Sequence, residues 1–337
     1  MSGGDGVAEA GWFFDLPFRR GEVEVIADRV CNWLRSESLR WLVENVPGRR
    51  RAGGPVEPLR WADEPVEPAG AEDGVARLLR VLAGFGQICD WKRPGTAWDY
   101  RQGGERLFEE DRAALHDLTG EVAARATALG LRSEGGLRTG PRTAVVLGGR
   151  RLAPLNRTRA AARAMRRQPG PPPRVVMLCG HRPLDALERE SEEVRSYAPS
   201  ARTERDLMAA AASEAFGEEP AVEVELVEVP DPEPGARAST YETLRAIAEN
   251  PALARGPVAV ATSPTCRPFQ YLEAARALGL PHGLTCELIA HPPAWAAASL
   301  AQAEAPHAPH VYLQEIRSVI QAAGRFARAL SASRASA

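Results

Sequence analysis

Apolar residues recur at helical spacing through the first part of the chain, over Glu22–Val46, Glu72–Trp91 and Glu105–Leu129. Val75, Leu78, Leu79, Leu82 and Phe85 fall on one stripe, and Phe108, Leu115, Leu118, Val122 and Leu129 on another. Steps of three and four residues are those of helices that bury one face. Pro47–Gly70 and Pro94–Gly104 are rich in proline and glycine and are expected as loops. Residues 1–140 are therefore predicted to form a mostly helical N-terminal domain. Six tryptophans (Trp12, Trp33, Trp41, Trp61, Trp91 and Trp98) lie in it, and helix-packing core is their natural role.

The pattern changes at Thr139–Pro141. Ala144–Leu147, Val175–Cys179, Val222–Val229, Val258–Thr262 and Leu284–Ile289 are short β-branched runs. Helical stretches lie between and after them at Arg157–Arg167, Glu204–Phe216, Thr240–Glu249, Pro268–Leu278 and Val311–Leu330. Apolar strands alternating with helices predict a mainly parallel sheet covered on both faces. The expected fold is α/β, a Rossmann-like doubly wound sheet of about five strands over residues 141–330, with 331–337 as a disordered tail. Such sheets bind ligands at the carboxyl ends of their strands.

Composition narrows the partners. A formal net charge of −2 gives no global field to hold nucleic acid or an anionic membrane, so electrostatic recognition has to be local. The chain lacks a signal-peptide pattern and a run of about 18 apolar residues, and its 5 cysteines include no CxxC pair. These features predict a cytoplasmic protein with reduced thiols and no membrane partner.

Local clustering does exist. From Pro141 to Leu184 there are ten arginines and no Asp or Glu. Gly148-Gly149-Arg150-Arg151 follows the first strand and Cys179-Gly180-His181-Arg182 the second. Glycine there lets backbone approach a ligand, and a guanidinium matches a carboxylate or phosphate bidentately. The alternatives are tight strand–helix turns and a solvated basic face, and the arginines placed directly after two strand ends favour an anionic small molecule. Neither a GxGxxG nor a Walker A spacing is present. Thr203-Glu204-Arg205-Asp206 and Ser239-Thr240-Tyr241-Glu242 fit capping boxes, and as helix starts after strands they also place Glu204, Thr240 and Glu242 toward the crevice. Thr262, Ser263, Cys266 and Arg267 end the fourth strand. Cys266 beside a guanidinium is a candidate nucleophile, the plainer reading being a small residue filling space.

In this order, Leu147-Gly148-Gly149, Arg157 or Arg159, Cys179-Gly180, Thr203-Glu204, Ser239-Thr240 with Glu242, Thr262-Ser263 and Glu315 resemble the strand-end pattern of the YdcF-like family, which includes SanA and ElyC. The resemblance spans about residues 141–330. Cys266 stands where the family commonly has histidine, and Arg267 is displaced from the family's arginine near Phe269. What the resemblance implies is a doubly wound sheet binding a nucleotide-like or otherwise anionic small molecule, with a nucleotide or an S-adenosylmethionine-like ligand as the cofactor class.

Two functions follow as expectations. One is a transferase or hydrolase of specialised metabolism acting on a phosphorylated or nucleotide-like substrate. In it Arg157, Arg159 and Arg182 hold the anion, Gly148, Gly149 and Gly180 admit it, and His181, Glu204 or Glu242 serve as acid or base. The other is a metabolite-sensing module whose helical N-terminal domain contacts a protein partner or a second copy. A zinc site from His307, His310, Cys286 and His291 ranks lower, because no recognisable tetrahedral spacing completes it. An RNA surface along Arg157–Arg167 also ranks lower, because that stretch has no aromatic residue to stack bases.

Overall fold

The computed structural model describes residues 12–46, 73–85, 98, 101–102, 106–107, 115–169, 174–217, 222–232, 238–251, 253, 256–297 and 308–335. They group into two compact units: Met1–Leu16, Glu22–Leu131 and His307–Ala337 form one, Pro17–Gly21 and Arg132–Pro306 the other.

In the first unit the described helices are α1 (Val23–Leu34), α2 (Glu37–Asn45), α3 (Gly74–Ala83) and α4 (Thr119–Ala128). The expected helices over Glu72–Trp91 and Glu105–Leu129 extend beyond these bounds into residues outside the described set. Arg101–Gln102 and Arg106–Leu107 pair as a short antiparallel ladder, so Arg106 and Leu107 are strand where helix was expected. Ile26, Val30, Trp33 and Leu34 put one face of α1 into the core, and the Trp33 indole N–H donates to the Leu129 carbonyl at 3.0 Å.

The last helix, Pro309–Ala335, also belongs here, against the expectation that it would complete the α/β domain. Tyr312, Leu313, Ile316, Val319, Ile320, Ala323, Phe326 and Ala327 repeat at helical spacing and are buried, and the helix packs on α3 and α4. It continues through 331–335, where a disordered tail was expected.

The second unit is the expected α/β fold. Its strands are β1 (Thr143–Val146), β2 (Arg174–Gly180), β3 (Glu223–Val229), β4 (Val258–Thr262) and β5 (Cys286–Ala290). They form one all-parallel sheet in the order β3-β2-β1-β4-β5. Every residue of β1, β4 and β5 is buried, which is why these runs are apolar without alternation. β3 carries Glu223, Glu225 and Glu228, the charge expected of an edge that must not recruit another strand. The other edge, β5, is covered by the chain itself, since Phe18 and Cys286 exchange backbone hydrogen bonds of 2.7 and 3.2 Å.

Two helices, α5 (Ala153–Met165) and α8 (Glu204–Phe216), cover one face. Leu155, Ala161, Met165, Met208, Ala211 and Phe216 pack there on Val146, Val175, Met177 and Ala261. Between β2 and α8 lie α6 (Ala186–Glu190) and α7 (Glu192–Tyr197). The short α9 (Thr240–Arg245) ends before the expected Glu249. α10 (Arg267–Ala274) joins β4 to β5 in the direction opposite to the β1–α5–β2 connection, and the right-handed crossover rule puts it on the other face. The chain after α10 widens into a π turn over Ala275–Gly279 instead of continuing as regular helix. A Cβ on Gly279 would overlap the ring of Phe18, so this glycine admits the segment that covers β5.

Gly279→Ala forces the Phe18 ring out of its seat and is expected to cost about 2 kcal/mol, the usual scale for overpacking. Urea unfolding of the full chain measures it.

Candidate functional site

The strand order reverses at β1, and the crevice outside the carboxyl ends at such a reversal is where parallel α/β sheets bind ligands. β1 leads into Leu147-Gly148-Gly149. A Cβ on Gly148 would overlap the Glu204 carboxylate and lie 2.8 Å from the Leu178 carbonyl oxygen. Glu204, the first residue of α8, is 3% exposed, and its N–H donates to the Arg182 carbonyl at 3.0 Å. A Cβ on Gly180 would stand 3.3 Å from its second oxygen. One buried carboxylate is therefore packed into both glycine turns.

Arg157, one turn into α5, is buried. Its Nη1 donates to the carbonyls of Leu147, at 3.2 Å, and Gly148, and its Nε to Ser263 Oγ at 3.0 Å. It ties the end of β1 to the end of β4 across the reversal. The N-terminus of α5 beside it has no side-chain cap and no acidic residue in its first turn, whereas α8 and α9 both start with complete capping boxes. Arg151, just before α5, holds a left-handed φ of 48°, a conformation costly for a non-glycine residue. Uncapped helix amides after a glycine turn are a binding place for an anion.

Sequence reasoning considered His291 only as a zinc ligand. It follows Ala290, the partner of Thr262 in the β4–β5 register, and so stands beside Ser263. The ring is 2% exposed and stacks on Trp295, with centroids 6.4 Å apart and planes 8° apart. Its Nδ1 lies 3.0 Å from the Pro292 carbonyl, which can only accept, so Nδ1 carries the proton and Nε2 of the neutral ring is the basic nitrogen. Burial, reinforced by the positive charge of Arg157 and only partly opposed by the Pro292 bond, pushes the imidazole down to about 4. The only advance signal was a histidine directly after an apolar strand run.

Of the other expected site residues, Thr240 and Thr262 meet through a residue sequence did not single out. The Thr262 hydroxyl donates to Gln270 Oε1, and Gln270 Nε2 donates to Thr240 Oγ1 at 3.3 Å. Arg182 is engaged internally. Its guanidinium forms a two-pronged pair with Glu188, 2.9 Å from Nη2 to Oε1, and lies 3.9 Å from Glu204. Arg159 faces α8, where it pairs with Glu214. Arg267 is fully buried, donating to the Leu288 carbonyl at 3.2 Å and Ser133 Oγ at 2.8 Å. His181 is exposed beside Glu228, with Nε2 3.1 Å from Oε2. Glu242 caps its own helix by accepting from the Ser239 N–H at 2.6 Å. Cys266 is half-buried beside Thr265. Glu315 lies in the C-terminal helix, which groups with the helical unit.

The basic stretch 141–184 is thus not a field aimed outward. Carboxylates from later in the chain neutralise much of it: Asp185 and Glu188 for Arg150, Glu214 for Arg159, Glu225 for Arg174 and Glu188 for Arg182. Burial would raise the Glu188 carboxyl, but Arg182, the Asp185 N–H and Arg150 outweigh it and hold the group below the usual range. Cys179 is pushed up to about 11 by burial and then by Glu204 and Glu228. Among the described residues no group of three or more His, Cys, Asp or Glu is placed to hold a metal; His307 is outside them. No described helix is long and apolar enough to cross a membrane.

No protein-family profile matches the chain, and no solved structure does. The chain is similar to uncharacterized proteins of Mycobacterium bovis and of two strains of Mycobacterium tuberculosis, each 28% identical over 318 residues covering 77% of this chain and 87% of the relative.

Two outcomes follow from the buried charges. Arg182→Ala leaves Glu188 facing only Arg150 and is expected to cost about 3 kcal/mol at neutral pH. Wild-type stability from Glu188 is present above the ordinary carboxylate range and is lost as pH falls through its depressed pKa. In the variant the carboxyl is destabilising when charged, so the deficit shrinks toward pH 4; urea titrations at pH 7 and 4 measure it. For His291, whose pKa is lowered, stability is full above the ordinary value of 6.5 and falls by roughly 3 kcal/mol as pH drops to about 4. An NMR titration should show its ring neutral at pH 6, and Arg157→Gln should raise its midpoint.

Proposed function

We propose that the α/β unit binds an anionic small molecule, phosphorylated or nucleotide-like, at the carboxyl ends of β1, β2 and β4. The observation that carries this is the uncapped start of α5, set at the reversal of a β3-β2-β1-β4-β5 parallel sheet behind a glycine turn braced by Arg157 and Glu204. Pro154 carries no N–H and the Ala153 N–H donates to the Arg150 carbonyl at 2.9 Å, so it is chiefly the positive end of the helix dipole, met by no side-chain cap and no acidic residue in the first turn, that favours an anion there. Glu204, wedged between the two glycine turns, suits hydroxyl groups such as those of a ribose. Membership of the YdcF-like family and a cytoplasmic setting belong to the same proposal.

Within it, catalysis is favoured over sensing by one feature, His291. A neutral imidazole with a fixed tautomer, one residue beyond β5 and beside Ser263, is equipped to take a proton from a bound hydroxyl or water. The reaction is then group transfer or hydrolysis at the anionic group. The assignment of the anion to Arg159 and Arg182 is replaced by helix amides with Arg157 as the brace, since the first two guanidiniums already hold Glu214 and Glu188.

Calorimetric titration of the full chain with ADP, inorganic phosphate and S-adenosylmethionine is the test. Arg157→Gln or Ser263→Ala is expected to weaken the binder among them ten- to hundredfold, a loss of about 1.5–3 kcal/mol. Arg159→Gln should leave affinity within about twofold. Equal losses at Arg157 and Arg159, with unchanged circular dichroism, would reduce the site to a diffuse basic surface.

A further inference from the structure

The α/β unit holds a second cleft, of about 310 Å³, lined by residues that the switch-point site does not use. Ala160, Ala164, Leu137 and Ile289 give it apolar walls, and Arg163, Arg167 and Glu134 bring charge to it. Its volume is at the lower end of ligand pockets, roughly 300–1,000 Å³.

The wall formed by residues 133–139 is held in place by buried charge. Arg267, 1% exposed, donates to Ser133 Oγ, and its guanidinium occupies the space a Cβ on Gly135 would need. Glu287, 2% exposed, accepts the N–H groups of Arg138 at 2.6 Å and Thr139 at 2.8 Å. The Ala290 N–H donates to the Glu134 carbonyl at 2.8 Å. Two charged side chains are thus committed to fixing one short loop beside α5, which is how a binding surface is pre-organised.

The cations facing that wall differ from their neighbours. Arg150, Arg159, Arg174 and Arg182 reach carboxylates, and Arg166 donates to the Ala215 carbonyl. Among the described residues no ion pair or hydrogen bond engages the side chain of Arg163 or Arg167. Both line the one cleft, where like charges repel unless an anion lies between them. Two guanidiniums and the Glu134 carboxylate leave a net of one positive charge, which matches a monoanion. Arg163 is ten residues from the start of α5, about 15 Å along the helix, too far for a small ligand at the switch point to reach.

We propose that this cleft binds a small amphipathic carboxylate, its head group on Arg163 and Arg167 and its apolar body against Ala160, Ala164, Leu137 and Ile289. Calorimetric titration of the full chain with octanoate, acetate and phenyl phosphate tests it. Octanoate is expected to bind, acetate at least about tenfold more weakly for want of the apolar contact, and phenyl phosphate more weakly for want of charge match. Arg163→Gln and Arg167→Gln are each expected to weaken octanoate about tenfold, and the double variant to abolish measurable binding, while Arg159→Gln on the same helix leaves it unchanged. Both arginines are on the surface, so circular dichroism should match wild type. Gly135→Ala, which displaces the wall without touching either arginine, should weaken octanoate as well. No octanoate binding, binding indifferent to the double variant, or equal losses from Arg159→Gln would overturn the proposal, and tighter binding of phenyl phosphate than of octanoate would overturn its carboxylate assignment.

Discussion

The carboxyl end of the sheet is organised around the missing side chain at Gly148. The space its Cβ would take holds the Glu204 carboxylate, and the Leu178 carbonyl closes the remaining side. Glu204 is thereby lodged at the first residue of α8, where its own N–H is fixed by the Arg182 carbonyl. The turn that accommodates Glu204 exposes the Leu147 and Gly148 carbonyls to Arg157, and Arg157 in turn holds Ser263. A charge on each side of one turn makes the geometry mutual: the carboxylate excludes any residue but glycine, and the guanidinium uses the carbonyls that the glycine turn presents.

Arginine serves this fold in two energetically distinct ways. Arg159 and Glu214 are well exposed, at 46% and 36%, and such a pair contributes no more than about 1 kcal/mol. Glu188 is fully buried, and its pair with Arg182 is worth little relative to apolar packing yet is costly to break. Buried pairs of this kind also make a site's background field small, since positive and negative ends cancel over a few ångströms. What is left to act on a ligand is oriented backbone: helix amides at the start of α5, unaffected by carboxylates elsewhere in the unit.

The sheet was legible in the sequence because its central strands are buried on both sides. All five strand runs fall within two residues of the observed bounds, and Glu204–Phe216 coincides with α8, whose capping box marks its start chemically. The helical unit was less so. The last helix has an apolar stripe that states only that it must pack, and the α/β unit and the N-terminal helices are equally good apolar partners from sequence alone. Likewise the run of arginines in 141–184 read as a ligand field, since its counter-charges lie 35 to 55 residues away or hide in the short α6. Glycine turns, Glu204, Arg157 and Ser263 were legible because each sits at a strand or helix end. His291 and Gln270 were not, because their roles come from register: His291 falls beside Ser263 only once Thr262 is paired with Ala290.

Helix α5 connects these observations. Its N-terminus ends in amides without a side-chain cap, and its dipole leaves positive potential there; its last turn carries Arg163 and is followed by Arg167, where the dipole is negative. The helix therefore supplies partial compensation to two cations that no carboxylate among the described residues pairs with, which allows them to persist beside each other. That compensation is worth a few tenths of a kcal/mol to about 1 kcal/mol and falls off within a turn, far less than a bidentate carboxylate provides. The two ends of one helix thus attract anions by different means: the first by backbone, with no side chain to titrate, and the second by guanidinium groups whose attraction is screened as salt rises.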